Sequence, residues 1–187
     1  MSMSLWGSDG SRKYLTDSER KRFLSEALKS KHKTFLLFLF YTGCRVSEAL
    51  QVRARHFTDE GEGLKSVIIH TLKQRKDGVF RTVPLPDDYY QMIVDEHDLL
   101  NLNPGKTMWP RTRQWGWLRA KEVMTAAKIH SLAACPKGLR HTMGTHAVNR
   151  DVPLPVIQGV LGHSTPVSTN VYAKVDLATI RRHQLWR

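Results

Sequence analysis

The 187 residues of the chain are enough for one domain of ordinary size with a sizeable core, and 41% of them are hydrophobic. Lys and Arg outnumber Asp and Glu by 29 to 17, and the resulting net charge of +12 indicates an anionic partner, most commonly nucleic acid, although charge that serves solubility alone is the alternative. No apolar run approaches the length of a membrane span, and no secretory signal is expected.

Residues 1–12, rich in Ser and Gly, are expected to be a disordered lead-in, and three helices are predicted to follow. The first opens with a capping box, formed by Thr16 with Glu19 three positions on. The second is apolar on all sides, which is typical of a buried helix, and Gly43 ends it. These helices are predicted over Thr16–Ser30, over Thr34–Thr42, and from Arg45 onwards.

After these helices the apolar period changes from that of a helix to that of a strand, which predicts a hairpin of two strands, Val67–Leu72 and Phe80–Leu85. Asp77-Gly78 between them favours a tight turn, because Gly accepts a positive φ without penalty. The rest of the chain predicts helices from Asp87 to about Leu100 and over Thr112–Lys128, Lys137–Asn149, Pro155–Leu161, Val167–Tyr172 and Asp176–Leu185. The sequence therefore predicts an α+β domain that is mostly α-helical, with a small antiparallel sheet.

Motifs for nucleotide or metal chemistry are missing from the sequence. It has no P-loop and no cluster of carboxylates and histidines at metal-site spacing. Cys44 and Cys135 lack the spacing of a zinc site, and they favour a reducing compartment. No cofactor and no metal are therefore expected, and chemistry on phosphates would need side-chain cations.

Such cations stand at two places. Arg45 lies between apolar segments, and Glu48, three positions on, can orient it; a purely structural ion pair is the alternative. Lys137 precedes Arg140 by one helical turn, so both can point to one anion such as a phosphate, unless this helix face is simply solvated. Tyr172, taken alone, would be a core residue.

Three separated motifs together resemble the tyrosine recombinases of the phage integrase type. Thr42–Leu50 is similar to their first arginine box, and Leu139–Thr142 with Thr145-His146 to their second. Leu161–Ser164, followed by Val171-Tyr172, is similar to the end of the second box and the nucleophile motif. Their order and the nine-residue step from His163 to Tyr172 also match, so the resemblance extends from about residue 14 to residue 172.

The resemblance implies a metal- and ATP-free reaction in which DNA strands are cleaved and rejoined through a 3′-phosphotyrosyl intermediate. It implies the roles of the catalytic arginines for Arg45 and Arg140, of a phosphate contact for His163 and of the nucleophile for Tyr172. Lys76 matches the hairpin lysine, a candidate general acid, and Lys73 is a weaker candidate. The family usually has His where this chain has Lys137; lysine there would act mainly as an electrostatic contact, unless its pKa were lowered enough for it to act as a base.

The resemblance also implies that residues 13–187 form a catalytic domain without the N-terminal core-binding domain of full-size members. A truncated chain and a naturally short single-domain recombinase both stay open. The expected partner is double-stranded DNA, with self-association into a tetrameric synapse, accessory DNA-binding proteins and no membrane, in the cytoplasm at a bacterial nucleoid. The alternatives are a catalytically weakened DNA-binding regulator of the same fold, a type IB topoisomerase, and a basic protein that binds RNA or a membrane surface.

Overall fold

Residues 4–61, 63–72 and 78–173 are those that the computed structural model describes, and in them three helices precede a three-stranded sheet and five follow it. The helices are α1 Asp17–Lys29, α2 Lys33–Thr42, α3 Val46–Ala49, α4 Asp87–His97, α5 Arg113–Ala126, α6 Pro136–Val148, α7 Leu154–Leu161 and α8 Val167–Ala173. The strands are β1 Phe57–Asp59, β2 Lys65–His70 and β3 Phe80–Pro84. The predicted fold class, mostly α with a small antiparallel sheet, is confirmed.

Helix α2 lies at the centre of the core, since eight of its ten residues are buried. It contacts α1, α4, α5 and α6, so its uniformly apolar surface is covered on several sides. Gly43 ends it in the left-handed region with φ 59°, as predicted. The chain then turns directly into α3, whose N-cap is Arg45. The end of α2 therefore determines where Arg45 stands.

The sheet has the order β1-β2-β3, with both pairs antiparallel. In its register Val67 faces Val83 and Ile69 faces Arg81. Strand β1 and the 3-10 turn Ala54–His56 before it were not predicted from the sequence. The turn residues 73–77 lie outside the described residues, but Gly78 has the expected positive φ, 75°.

The expectation of a disordered lead-in is wrong for residues 4–12. Leu5 is 2% exposed and packs with Ile157, Leu161 and Tyr172 in a small second apolar cluster. Backbone hydrogen bonds from Gly7 N–H to Ser11 O (2.7 Å) and from Lys13 N–H to Leu5 O (2.8 Å) fold the segment back on itself. A single buried leucine and these bonds hold a segment whose Ser and Gly content suggested disorder.

The remaining elements agree with the sequence to within a few residues. Helix α4 ends at His97 rather than near Leu100, because Asp98 adopts a left-handed conformation with φ 50°. The helix predicted over Asp176–Leu185 lies outside the described residues. In the part of the chain that is described, no helix has both the length and the apolar character that crossing a bilayer requires.

Candidate active site

The Glu48 carboxylate is fully buried and organises the first cation. Arg45 reaches it with Nη1 at 2.6 Å from Oε1, and the Arg45 backbone N–H donates to Oε2 at 3.0 Å. The Arg45 side chain stays 32% exposed, whereas that of Glu48 is 0% exposed. The predicted orientation of Arg45 by Glu48 is therefore present, and part of the guanidinium remains accessible to an anion.

Arg81 on β3 is a second buried partner of Glu48, and the sequence reasoning missed it. Its Nη2 lies 2.7 Å from Glu48 Oε2, its Nη1 donates to Thr71 Oγ1 at 2.8 Å, and its Nε donates to Val160 O at 2.8 Å. Burial alone would raise the pKa of Glu48, but the charges of Arg81 and Arg45 and their hydrogen bonds lower it below its usual value. Glu48 is thus held as a carboxylate between two guanidinium groups.

Arg140 on α6 is 7% exposed and is held by backbone carbonyls. Its Nη1 donates to Gly43 O at 2.9 Å and its Nη2 to Leu161 O at 2.6 Å. Both carbonyls lie where helices end, and helix C-terminal ends favour positive charge. Burial, followed by repulsion from Arg45, lowers the pKa of Arg140 to about 10, so it stays a cation at neutral pH. Three N–H groups of Arg140 remain to donate to an anion.

His163 follows α7 and lies against the ring of Tyr172, with centroids 6.2 Å apart and planes at 12°. Its Nδ1 is 2.9 Å from Thr169 Oγ1, and its Nε2 is buried without a partner in the described structure. Burial and the charges of Arg140 and Arg45 lower the pKa of His163 to about 4, so the ring is neutral at pH 7. An unpartnered buried nitrogen suits a ligand atom at this position.

Tyr172 on α8 is 1% exposed. A side chain at Gly144 would place its Cβ 2.5 Å from Tyr172 Cζ, so only glycine leaves room for the phenol ring. Burial raises the pKa of Tyr172 to about 12, although the charges of Arg140 and Arg45 act in the opposite direction. The hydroxyl is therefore protonated in the free protein, and it lies within the electrostatic reach of both arginines.

His141 is a further residue of this cluster, and it was not singled out as a site residue from the sequence. Its Nδ1 is 3.3 Å from the Tyr172 hydroxyl, and its Nε2 is buried without a described partner. The motif Arg140-His141 was visible, but the helix face that His141 presents depends on where α8 packs. Burial, then the charges of Lys137 and Arg140, lowers the pKa of His141 to about 3.

The two expected lysines are placed differently. Lys137 is exposed in the first turn of α6, and its charge acts on His141 one turn further along the helix. Lys76 and the weaker candidate Lys73 lie outside the described residues. The structure thus brings Arg45, Arg140, His163 and Tyr172 together, with Lys137 at the margin. In the described ranges, no group of three or more His, Cys, Asp or Glu is placed to hold a metal ion.

The arrangement combines guanidinium groups, two neutral imidazoles and one phenol. Guanidinium groups donate paired hydrogen bonds to phosphate oxygens, and a phenol next to them is a potential nucleophile. The positive charge of these guanidinium groups is balanced only in part by the buried carboxylate of Glu48. The cluster is therefore chemically suited to bind a phosphodiester and to attack its phosphorus.

Comparison with known proteins gives matches over most of the chain. A family model described as the phage integrase family matches residues 13–178. Tyrosine recombinase XerD of Yersinia pestis is 33% identical over 170 residues, which is 84% of this chain and 54% of the relative. XerD of Shewanella oneidensis is 30% identical (91% of this chain, 60% of the relative), and XerA of Pyrococcus horikoshii is 29% identical (90% and 59%). The chain thus spans about three fifths of the length of these curated relatives.

Solved structures show the same fold. XerH recombinase bound to its difH substrate superposes with a TM-score of 0.75 at 19% identity and covers 97% of this chain and 60% of that one. The catalytic domain of bacteriophage HP1 integrase superposes with a TM-score of 0.66 at 20% identity and covers 93% of this chain and 94% of that domain. At these identities the likeness concerns the fold.

Proposed function

Because the chain belongs to the phage integrase family, we propose that it is a site-specific recombinase that cleaves and rejoins DNA strands through a 3′-phosphotyrosyl intermediate on Tyr172. The relatives that carry the name tyrosine recombinase support this assignment. The observation that carries it is the meeting of Arg45, Arg140 and His163 with a phenol in one cluster, although they come from three distant segments. Residues 13–187 are proposed as the catalytic domain.

The two arginines stabilise the transition state in this proposal. Attack on a phosphodiester produces a five-coordinate phosphorus with more negative charge than the ground state, and enzymes gain rate by favouring that state selectively. Arg45 and Arg140 donate to the non-bridging oxygens, and Nε2 of His163 supplies a further contact to one of them. A single donor of this kind is worth about 3–4 kcal/mol when it is aimed at the transition state. Lys137, at the edge of the cluster, adds an electrostatic contact to the phosphate.

The leaving 5′-oxygen of the cleaved strand requires a proton, and Lys76 is the proposed general acid. It lies in the segment between β2 and β3, where the family resemblance places a lysine. The phosphotyrosyl ester retains the energy of the broken bond, so a 5′-hydroxyl of another strand can attack it without ATP. No metal is needed in this scheme, because the guanidinium groups carry the positive charge.

The proposed substrate is double-stranded DNA, to which the net charge of +12 is suited. Because recombination exchanges strands between two sites, we further propose a tetrameric synapse, assisted by accessory DNA-binding proteins, on the bacterial nucleoid. A catalytically weakened DNA-binding regulator is not favoured, because a protein that only bound DNA would have no need of Tyr172 beside two arginines.

The test uses a library of DNA duplexes that carry a randomised segment and a nick, which traps a cleaved strand on the protein. The unaltered chain is expected to form denaturant-resistant protein–DNA adducts, whose sequencing identifies the preferred site. Tyr172→Phe keeps the ring that packs at Gly144 but lacks the hydroxyl, so it should bind the same DNA without forming an adduct. Retarded DNA without any adduct from the unaltered chain would favour the regulator, and adducts from Tyr172→Phe would place the nucleophile elsewhere.

A further inference from the structure

We propose that His141 accepts the proton of the Tyr172 hydroxyl during strand cleavage, in place of the residue at position 137. The proposal rests on the proposed recombinase function, and it names the proton acceptor for that same reaction. It addresses a departure of this chain from its family, in which position 137 usually holds a histidine and here holds Lys137.

The contact between the two side chains is buried and direct. His141 Nδ1 lies 3.3 Å from the Tyr172 hydroxyl, and the rings meet edge to face with centroids 6.1 Å apart at 61°. Both residues are 1% exposed, so bulk water has little access to the contact. A proton acceptor must lie within hydrogen-bond reach of the proton that it removes, and His141 lies at the outer edge of that range in the protein without DNA.

Lys137 is poorly suited to the same task. It is exposed in the first turn of α6, four positions before His141. A charged ammonium has three N–H groups and no lone pair, so it can donate but not accept. A neutral imidazole has one nitrogen that accepts, and the tautomer protonated at Nε2 directs the lone pair of Nδ1 towards the hydroxyl.

The charges around His141 explain how its affinity for a proton changes when DNA binds. It faces Lys137 and Arg140 from α6, Lys13 from the N-terminal segment, and His163 from the segment before α8. With burial, these groups keep the pKa of His141 near 3 in the free protein, so the imidazole is neutral and its lone pair is available. A phosphodiester among the same cations adds negative charge, which raises the pKa of His141 as the reaction begins.

The proton of the Tyr172 hydroxyl moves to His141 Nδ1 as the phenolic oxygen forms its bond to phosphorus. The bond from phosphorus to the 5′-oxygen breaks, and that oxygen takes a proton from the general acid, for which Lys76 is proposed. On rejoining, the incoming 5′-hydroxyl gives its proton to the deprotonated general acid as its oxygen attacks phosphorus, and His141 returns its proton to the departing Tyr172 oxygen.

The test compares the rate of adduct formation on a nicked duplex selected by the unaltered chain, across the pH range in which the protein stays folded. His141→Asn places an amide near Nδ1 that can accept a hydrogen bond but cannot take a proton at these pH values. It should bind DNA normally and form adduct at least about 100-fold more slowly near neutral pH. Because no base remains to take the proton, its rate should rise with pH as the Tyr172 phenol ionises, more steeply than that of the unaltered chain. Lys137→Gln should keep the pH dependence of the unaltered chain. His97→Asn removes a part-buried imidazole that bonds Thr34, and it should match the unaltered chain.

Two further measurements separate proton transfer from packing. Trifluorotyrosine at position 172 has a much more acidic hydroxyl than tyrosine and depends far less on an acceptor, so the loss caused by His141→Asn should shrink at least about tenfold in that background. The ¹⁵N shifts of His141 in the unaltered protein, which involve no substitution, should report a proton on Nε2 and none on Nδ1. This measurement decides the question if His141→Asn fails to fold.

The outcomes are distinct for the two proposals. If the unaltered chain forms no adduct on any nicked duplex, the recombinase function itself fails. If it forms adduct and His141→Asn does so at a similar rate, only the role of His141 is overturned. The same holds if trifluorotyrosine leaves the loss undiminished, if Lys137→Gln shows the slow rate and steeper pH dependence expected of His141→Asn, or if Nδ1 carries the proton.

Discussion

Replacing Glu48 with glutamine removes the negative charge with which both Arg45 and Arg81 form ion pairs. The Glu48 carboxylate is 0% exposed, and the Arg81 side chain is 7% exposed with its Nη2 at 2.7 Å from Glu48 Oε2. Breaking a buried ion pair by neutralising one partner costs about 3–5 kcal/mol, because the other charge stays buried and uncompensated. We expect Glu48→Gln to lower the free energy of unfolding by about 3 kcal/mol, at the low end of that range, since the glutamine oxygen still accepts one hydrogen bond.

The assay is thermal unfolding followed by circular dichroism at neutral pH and at acid pH. For a chain of this size about 1 kcal/mol corresponds to roughly 2–4 °C, so Glu48→Gln should lower the Tm by about 6–12 °C at pH 7. The pKa of Glu48 is lower in the folded protein than its usual value of 4.5. Its contribution is therefore complete above pH 4.5 and is lost as the pH falls through the lower folded-state pKa, and the difference between the two proteins should narrow there.

The matched control is Glu122→Gln, since Glu122 pairs with Arg119 while its side chain is 57% exposed. A surface pair of this kind contributes roughly 0–1 kcal/mol. Glu122→Gln should therefore leave the Tm within a few degrees of that of the unaltered protein. If Glu48→Gln lowers the Tm no more than this control does, the buried carboxylate is not what compensates the two arginines.

Three further substitutions test the cluster around the phenol. Gly144→Ala places a Cβ 2.5 Å from Tyr172 Cζ, so the free energy of unfolding measured by denaturant titration should fall by about 1–3 kcal/mol. An unchanged denaturation midpoint would mean that α8 can move away from α6 without cost. Arg140→Lys keeps the charge but loses the paired geometry, so adduct formation should slow by about 10²–10³-fold with little change in DNA affinity; a rate within tenfold of normal would argue against a transition-state contact. Thr169→Val removes the partner of His163 Nδ1, 2.9 Å away, and should slow the adduct rate by about threefold to tenfold, whereas an unchanged rate would show that His163 is oriented by its packing alone.

The helices and their ends could be predicted from the sequence because their signals are local. The capping box of Thr16 and Glu19 is present as expected, and so is the left-handed Gly43 that ends α2. The strand partner β1 was missed because three residues carry too little periodicity to be recognised. Residues 4–12 were misjudged because composition does not reveal that Leu5 finds a place in the second apolar cluster.

The residues of the candidate site, too, could be predicted from the sequence only where their signals are local. Arg45, Arg140, His163 and Tyr172 lie in recognisable motifs, and the structure places them near one another. Arg81 could have been found, since alternation along the predicted strand places it on the same face as Val83 and Leu85, and all three are buried. His141 could not, because its contact with Tyr172 joins residues 31 positions apart and depends on the packing of α8 against α6.

Arg81 joins three parts of the chain that are distant in sequence. One guanidinium group bonds Glu48 in α3, Thr71 just after β2 and the Val160 carbonyl near the end of α7. Gly162 leaves no spare room beside it, since a Cβ there would lie 2.9 Å from Arg81 Nη1. Strand β3 therefore cannot shift along its axis without breaking these bonds or drawing the end of α7 with it. In the recombinase that we propose, a duplex that displaced β3 would therefore also displace the residues that lead into His163.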